Sequence, residues 1–463
     1  MRLIGGLYGV FYLLVLAAIA RCQNTTRANP VPPPDKVWLG GTFFWSEDSP
    51  ANFSSRVGRP VLLYQWYSSV PLDMTGDVGY LRGKVLNSPF PRAPKGSTDR
   101  GILILTIEPF GGLSTVDQKT ISDIVSVCAL LNQNGVDVLL RFAHEMNGDW
   151  YPWGIQPTAY KAAFAALATA IHANATSTAM VWAPNIGTEY PFSVTSKAVN
   201  GTADFAAMDT NGDGVVNNSD DPYEPWYPGD EHVDWVGMSL YWLGGTANFG
   251  NNAVPYPRFL YNCLHGMNPV DGSTVLAPDF YGRYVVGRNK PFVLAETGAL
   301  FAASKGGPSE LTIKRALWNQ MVTASALDLL PMMKAVVLYE NVVNVSGVPD
   351  MIDYTVTRKV DQRSAFTSDL NYTRFQWGSC SAISGFLPSY CPATTTRTTT
   401  QTVFTTTSPT VSITSRLPPV NLATDTATRT SGGKRRFTGG QWTMLGTWVA
   451  LFGGLMVLVS HVL

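Results

Sequence analysis

The sequence predicts an α/β protein, a (β/α)8 TIM barrel, with a processing segment at each end and a Ser/Thr-rich stalk. Three observations carry that expectation. The central body holds eight short apolar runs, helical segments separate many of them, and no glycine-rich phosphate turn follows any run, as a doubly wound sheet would favour. The runs are residues 37–45, 60–67, 101–108, 136–145, 179–185, 233–242, 291–296 and 334–340. Several are apolar almost throughout, as strands covered on both faces are. Between them, residues 116–132 show apolar side chains at helical spacing, 158–174 is Ala-rich behind Pro157, and 309–330 follows Pro308. Proline just ahead of such a segment is a helix-start signal. The body spans residues 36–392, at the long end for one barrel.

The ends read differently. Residues 1–22 combine Arg2, an apolar stretch over 3–20 and a small-residue exit before Cys22, the order of a cleaved signal peptide; the alternative is a membrane anchor. Residues 23–35 form a Pro-rich entry linker. Between 394 and 415, Ser and Thr fill 15 of 22 positions, so 393–431 reads as an O-glycosylated stalk that cannot build a core. Residues 432–463 run from small residues through a polar spacer to an apolar end, the pattern of a lipid-attachment (GPI) propeptide whose tail is removed. A plain transmembrane helix is the alternative. The expected location is therefore extracellular, on the outer membrane surface or in the cell wall.

Composition agrees. Charged residues make up 14% and the formal net charge is zero, which argues against a nucleic-acid partner; a monomer is expected. Loss of both ends removes Arg2, Arg21, Lys434, Arg435 and Arg436 and no acid, leaving a net charge of −5. Cys380 and Cys391 close a short loop and are the expected disulfide, whereas whether Cys128 meets Cys263 is not legible. Seven N-glycosylation sequons fit a secreted glycoprotein.

Barrel enzymes carry their chemistry at the C-terminal ends of strands. There the sequence places Glu108, His144-Glu145, Asn185, Tyr241-Trp242, Glu296 and Glu340. Glu145 and Glu296 would stand on opposing sides of the mouth, and glycoside hydrolysis needs two carboxyl groups, one protonated and one ionised. Either could instead be an ordinary strand-end acid paired with a base. Trp150, Tyr151 and Trp153 follow Glu145 closely, and flat aromatic faces suit sugar rings. His144-Glu145 begins like a zinc HExxH helix, but position 148 is Gly, so the second ligand is missing.

Residues 141–154 (RFAHEMNGDWYPWG) together with 290–298 (KPFVLAETG) resemble glycoside hydrolase family 26. The resemblance covers roughly residues 36–380. It implies a retaining endo-β-mannanase-like enzyme on a (β/α)8 barrel, with β-glucan or β-xylan as alternative substrates. By that similarity Glu145 is general acid/base and Glu296 nucleophile. His144 precedes the acid/base, Trp150 lines the substrate cleft, and Tyr241 hydrogen-bonds the nucleophile. Trp153, Trp242 and Glu108 join them as candidate substrate contacts; Glu108 could equally be structural. One departure leaves the sugar open: the eighth run ends Tyr339-Glu340-Asn341, where mannanases usually offer a tryptophan.

Residues 209–220 (DTNGDGVVNNSD) form a candidate structural calcium loop. Asp209, Asn211, Asp213, Asn217 and Asp220 supply side-chain oxygens, Val215 a backbone carbonyl, and Gly214 the sharp turn. A metal-free polar insertion is the alternative. No cofactor is expected for catalysis. A polysaccharide hydrolase, a transglycosylase and an inactive wall-binding barrel all remain compatible with these residues.

Overall fold

The computed structural model describes residues 29–86, 90–192, 199–244, 250–344, 351–380, 447–452 and 455–460. The expected signal peptide, the stalk, Cys391 and the polar spacer ahead of the apolar tail lie outside the described residues. Eight parallel strands close into a barrel in chain order. They are β1 (Trp38–Thr42), β2 (Leu63–Ser69), β3 (Gly101–Glu108), β4 (Val136–Phe142), β5 (Thr178–Trp182), β6 (Trp235–Trp242), β7 (Phe292–Ala299) and β8 (Met333–Tyr339). β8 returns to β1, with Trp38 opposite Ala335 and Thr42 opposite Tyr339. The predicted (β/α)8 class is therefore observed.

Helices fill the crossovers: α1 (Pro50–Val57), α2 (Asp77–Leu86), α3 (Gln118–Gln133), α4 (Pro157–Asn174), α5 (Ala203–Met208), α6 (Phe259–Leu264), α7 (Glu310–Val322), α8 (Ala324–Leu329) and, after β8, α9 (Val360–Asp369). In α3 the Asp117 carboxylate caps the N-terminus by accepting from Thr120 N at 2.8 Å, and Ile121, Ile124, Cys128 and Leu131 form the buried stripe. Residues 309–330 were expected as one helix and form two. The chain turns extended at Thr323 (ψ 158°), whose hydroxyl then caps α8, a local hydrogen bond that competes with helix continuation.

The barrel interior is layered. Leu63, Ile102, Ile104, Leu139, Ala179, Val293 and Ala335 fill its lower part, each large side chain contributing about 1.5–3 kcal/mol by leaving water. Above them, Gln65, Thr106 and Arg141 are wholly buried polar groups. The floor is closed by Trp38 stacked on Trp235, ring centroids 5.9 Å apart. Both chain termini of the body cover this floor. Trp235 donates to Pro30 O at 3.0 Å and Trp38 to Gln376 Oε1 at 2.9 Å.

Beyond β8 a short hairpin, β9 (Val342–Asn344) and β10 (Met351–Asp353), brings Tyr354 to the mouth. In the tail, β11 (Thr447–Phe452) pairs antiparallel with β12 (Leu455–Ser460). Among the described residues no helix is long and apolar enough to cross a membrane. Cys380 is disulfide-bonded, while Cys128 and Cys263 are free, buried thiols and do not pair.

Candidate active site

A bulge aims Glu296. Along β7, Val293 and Ala295 face the barrel interior, so strict alternation would turn Glu296 outward. The register with β6 shifts between Met238 and Ser239, however: Leu294 stands opposite Met238 and Glu296 opposite Ser239, with Ala295 skipped. An extra residue of this kind re-aims a side chain, and here it swings the carboxylate into the mouth. Three donors meet it there. Tyr67 OH donates to Oε1 at 2.6 Å, Tyr241 OH to Oε2 at 2.8 Å, and Arg141 Nη1 pairs with Oε1. The other guanidinium arm, Nη2, donates to Ser239 Oγ at 2.6 Å. Burial works against the Arg141 charge, yet Glu296 and its other anionic neighbours outweigh it and raise the guanidinium's pKa. Burial, reinforced by Glu296, lifts Tyr67 and Tyr241 well above the ordinary phenol range, so both stay protonated donors.

Glu145 is placed by strain instead. β4 ends at Phe142, earlier than the expected 136–145, because Ala143 (φ 45°) and Glu145 (φ 54°) take the left-handed backbone region. Such residues cost on the order of 1–3 kcal/mol each and persist only where surroundings over-determine them. Here Ala143 N donates to Ile107 O and Glu145 N to Ala183 O, both at 2.9 Å, pinning the turn between β3 and β5. The Glu145 side chain accepts from Trp150 Nε1 at 2.8 Å. Gly148 makes that reach feasible, since a Cβ there would sit 2.1 Å from the Trp150 ring. Burial first, then the charge of Glu296, push the Glu145 carboxyl above its ordinary pKa, against the pull of Arg141 and of hydrogen bonds from Ser239 and Trp150.

Glu108 ends β3 beside Ser69 of β2, buried, without a side-chain hydrogen bond among the described residues. Burial, then Glu296 and, more weakly, Glu145, push it up to about 8 despite Arg141. The mouth thus gathers Glu108, Glu145 and Glu296 around one arginine. His144 lies 3.2 Å through Nε2 from Tyr151 OH. Trp150 is 7% exposed and packs edge-on against Phe192.

Two expected substrate contacts sit elsewhere. Trp153 is wholly buried, stacked on Tyr151 at 4.3 Å, and donates to His144 O at 2.7 Å, so it braces the loop rather than lining a cleft. Trp242 is likewise buried; it donates to Ala253 O and packs on Tyr256 and Phe259 behind β6. Glu340 is spent on structure, accepting from Val356 N, Thr357 N and Thr357 Oγ1. Arg141 and Tyr67 were not singled out from the sequence. A lone arginine inside an apolar strand demands a buried partner, which was the available signal.

In the 209–220 loop, Gly214 turns at φ 85° as expected. Asp209 accepts from Asp213 N and Gly214 N, Asp213 from Val215 N, and Asp220 from Thr210 N, Asn211 N and Asn217 N, while Asn211 accepts from Asp213 N. Backbone N–H groups therefore meet the carboxylates that would otherwise repel one another. Among the described residues no three His, Cys, Asp or Glu side chains converge as metal holders. The loop offers hard oxygen donors of the type calcium takes.

Residues 110–209 match glycosyl hydrolase family 26 as a family, a segment that carries Glu145 and ends before Glu296. Endoglucanase H of Acetivibrio thermocellus is 25% identical over 210 residues, 43% of this chain and only 20% of that protein's length. A β-mannanase of Bacteroides ovatus aligns in structure at 13% identity over 77% of this chain and 93% of its own, with a TM-score of 0.44. A mannanase of Bacillus subtilis does so at 14% identity over 75% and 88%, with a TM-score of 0.41. Over residues 110–209 the chain is therefore similar to glycosyl hydrolase family 26.

Proposed function

We propose that the protein is a retaining endo-glycosidase that hydrolyses a β-linked polysaccharide, with mannan the first candidate and mixed-linkage β-glucan or β-xylan the next. The observation that supports this best is the contrast at the mouth. Glu296 receives three donors, as an anionic nucleophile requires, while the Glu145 carboxyl is raised towards its protonated form. In this reading Glu296 attacks the anomeric carbon as Glu145 protonates the departing glycosidic oxygen. Glu145, now a carboxylate, then takes a proton from the water that cleaves the glycosyl ester. Tyr67, Tyr241 and Arg141 hold Glu296 in line throughout.

The test is sugar release by protein spanning residues 23–431 on mannan, mixed-linkage glucan and xylan, with proton NMR of the first product. Initial release of the β-anomer supports retention; the α-anomer overturns it. Transfer to added acceptor sugars in preference to water turns the reading to a transglycosylase. Tight binding with no turnover on any polymer leaves an inactive wall-binding barrel.

We also read the chain as secreted and lipid-anchored, on the sequence pattern of its ends and on the disulfide at Cys380. A structural calcium ion in the 209–220 loop belongs to the same reading. Calorimetric titration with calcium, and the loss of that heat in Asp209→Ala, test it.

A further inference from the structure

Asn185 follows β5 and joins β6 through an isolated parallel bridge to Ser239, which in turn stands opposite Glu296 on β7. Asn185, Ser239 and Glu296 therefore occupy one row around the barrel mouth. Their side chains share the inward face, because register partners on neighbouring strands point the same way. Ser239 confirms the direction by accepting from Arg141 inside the barrel. The alternation along β5 agrees: Val181 and Ala183 belong to the interior cluster, and Asn185 is two residues on. Ala183 is also the residue whose carbonyl holds Glu145 N, so Asn185 rises beside the acid/base as well as level with the nucleophile.

The backbone of Asn185 is fixed on both sides. Asn147, in the loop that carries Glu145, donates from Nδ2 to Asn185 O at 2.9 Å and accepts from Asn185 N at 2.8 Å. Its side chain has nothing comparable. Asn185 is 2% exposed, its Oδ1 is buried with no hydrogen-bond partner, and its Nδ2 has none among the described residues. A buried carboxamide left unpaired costs stability, and such groups call for an explanation beyond packing. Every other polar group in its row is engaged, with Ser239 on Arg141 and Glu296 on three donors.

We propose that the Asn185 carboxamide hydrogen-bonds a hydroxyl group of the sugar bound between Glu145 and Glu296, and so helps to set which sugar is accepted. This rests on the glycosidase reading above. The polyhydroxylated ring supplies both the donor and the acceptor that the carboxamide lacks, and a site built to hydrogen-bond a hydroxyl discriminates strongly against a ring that does not present one there.

The experiment compares wild type with Asn185→Ala and Asn185→Leu. The readouts are kcat/KM on the three polymers, thermal midpoint, and affinity for mannohexaose, cellohexaose and xylohexaose measured in a Glu296→Gln background. The expected result is a fall of about tenfold to a hundredfold in kcat/KM, with matching weakening of the preferred hexasaccharide. The thermal midpoint should be unchanged or higher, because no hydrogen bond of the free protein is lost. Unchanged turnover and affinity in both variants overturn the proposal. So does a lowered midpoint with unchanged affinity, the mark of a purely structural asparagine. A wild type that binds a hexasaccharide without cleaving any polymer sinks the glycosidase reading alone, and the affinities of the Asn185 variants then decide this one. A wild type that neither binds nor cleaves overturns both.

Discussion

The ends of β4 and β7 deliver one glutamate each to the same mouth by opposite means. At β7 the backbone stays in the sheet, and a single skipped residue turns Glu296 inward onto three donors from three other strands. At β4 the strand stops, two residues adopt left-handed backbone, and Glu145 receives an indole N–H from its own loop and a hydrogen bond from Ser239, too little to offset its burial. The first arrangement is rigid and rich in donors, suited to a charge that must stay put. The second buries a carboxyl with little to stabilise its anion, which favours holding a proton. Identical side chains thus diverge through their backbones and neighbours.

The sharpest way to break this comparison is to remove each carboxylate in turn. Glu296→Gly and Glu145→Ala should each lower kcat on polysaccharide by about 10⁴-fold or more. Added azide then separates them. With Glu296 gone, azide takes the nucleophile's place on the open face, and the product is an α-glycosyl azide. With Glu145 gone and an activated aryl leaving group, Glu296 still forms the glycosyl ester, azide displaces it, and the product is the β-glycosyl azide. The same anomer from both variants would show that the two glutamates do not hold distinct roles.

The β4 and β7 ends also show what the sequence reveals and what it hides. All eight strands were legible because buried parallel strands are continuous apolar runs, and Glu145 and Glu296 stood out as acids at two of their ends. The devices that aim them were not. Left-handed backbone at Ala143 and Glu145 leaves no mark in the sequence, since neither is the glycine that would announce it, and the bulge at Ala295 appears only once β6 is laid beside β7. Tyr67 is 229 residues from Glu296, so no local pattern could pair them. Trp153 and Trp242 misled for a related reason. An aromatic near a site serves equally as a platform or a brace, and only the partners of the indole N–H tell them apart.

Weakening the donors around Glu296 should have the next largest effect. Arg141→Met removes one charge of a buried pair and leaves the other uncompensated, so a loss of about 3–5 kcal/mol in stability is expected by denaturant unfolding. Tyr241→Phe leaves the fold intact and should lower kcat by about 10²-fold with little change in KM. If Tyr241→Phe instead raises KM alone, Tyr241 contacts substrate rather than steadying the nucleophile. On the β4 side, Trp150→Phe removes a hydrogen bond that lowers the Glu145 pKa. The alkaline limb of the kcat/KM profile should move to higher pH, whereas no such shift is expected from Tyr241→Phe.

A third carboxyl, Glu108, lies on neither side of the comparison. Burial, with Glu296 and Glu145 behind it, raises Glu108 from about 4.5 to about 8. Between those values the folded protein holds a proton on Glu108 that the unfolded chain has released. Stability from this group is therefore fully present below about 4.5 and declines as pH rises through about 8. Glu108→Gln should flatten that decline, so its thermal midpoint gains on wild type steadily from pH 5 to 8 and keeps the gain above. The β4 and β7 carboxylates remain in place in this variant, and because Glu108 already carries its proton below about 8, the Glu145 carboxyl should titrate much as in wild type there. Parallel midpoint curves for the two proteins across that window would mean Glu108 ionises at its ordinary pH, with solvent rather than Glu296 as its effective neighbour.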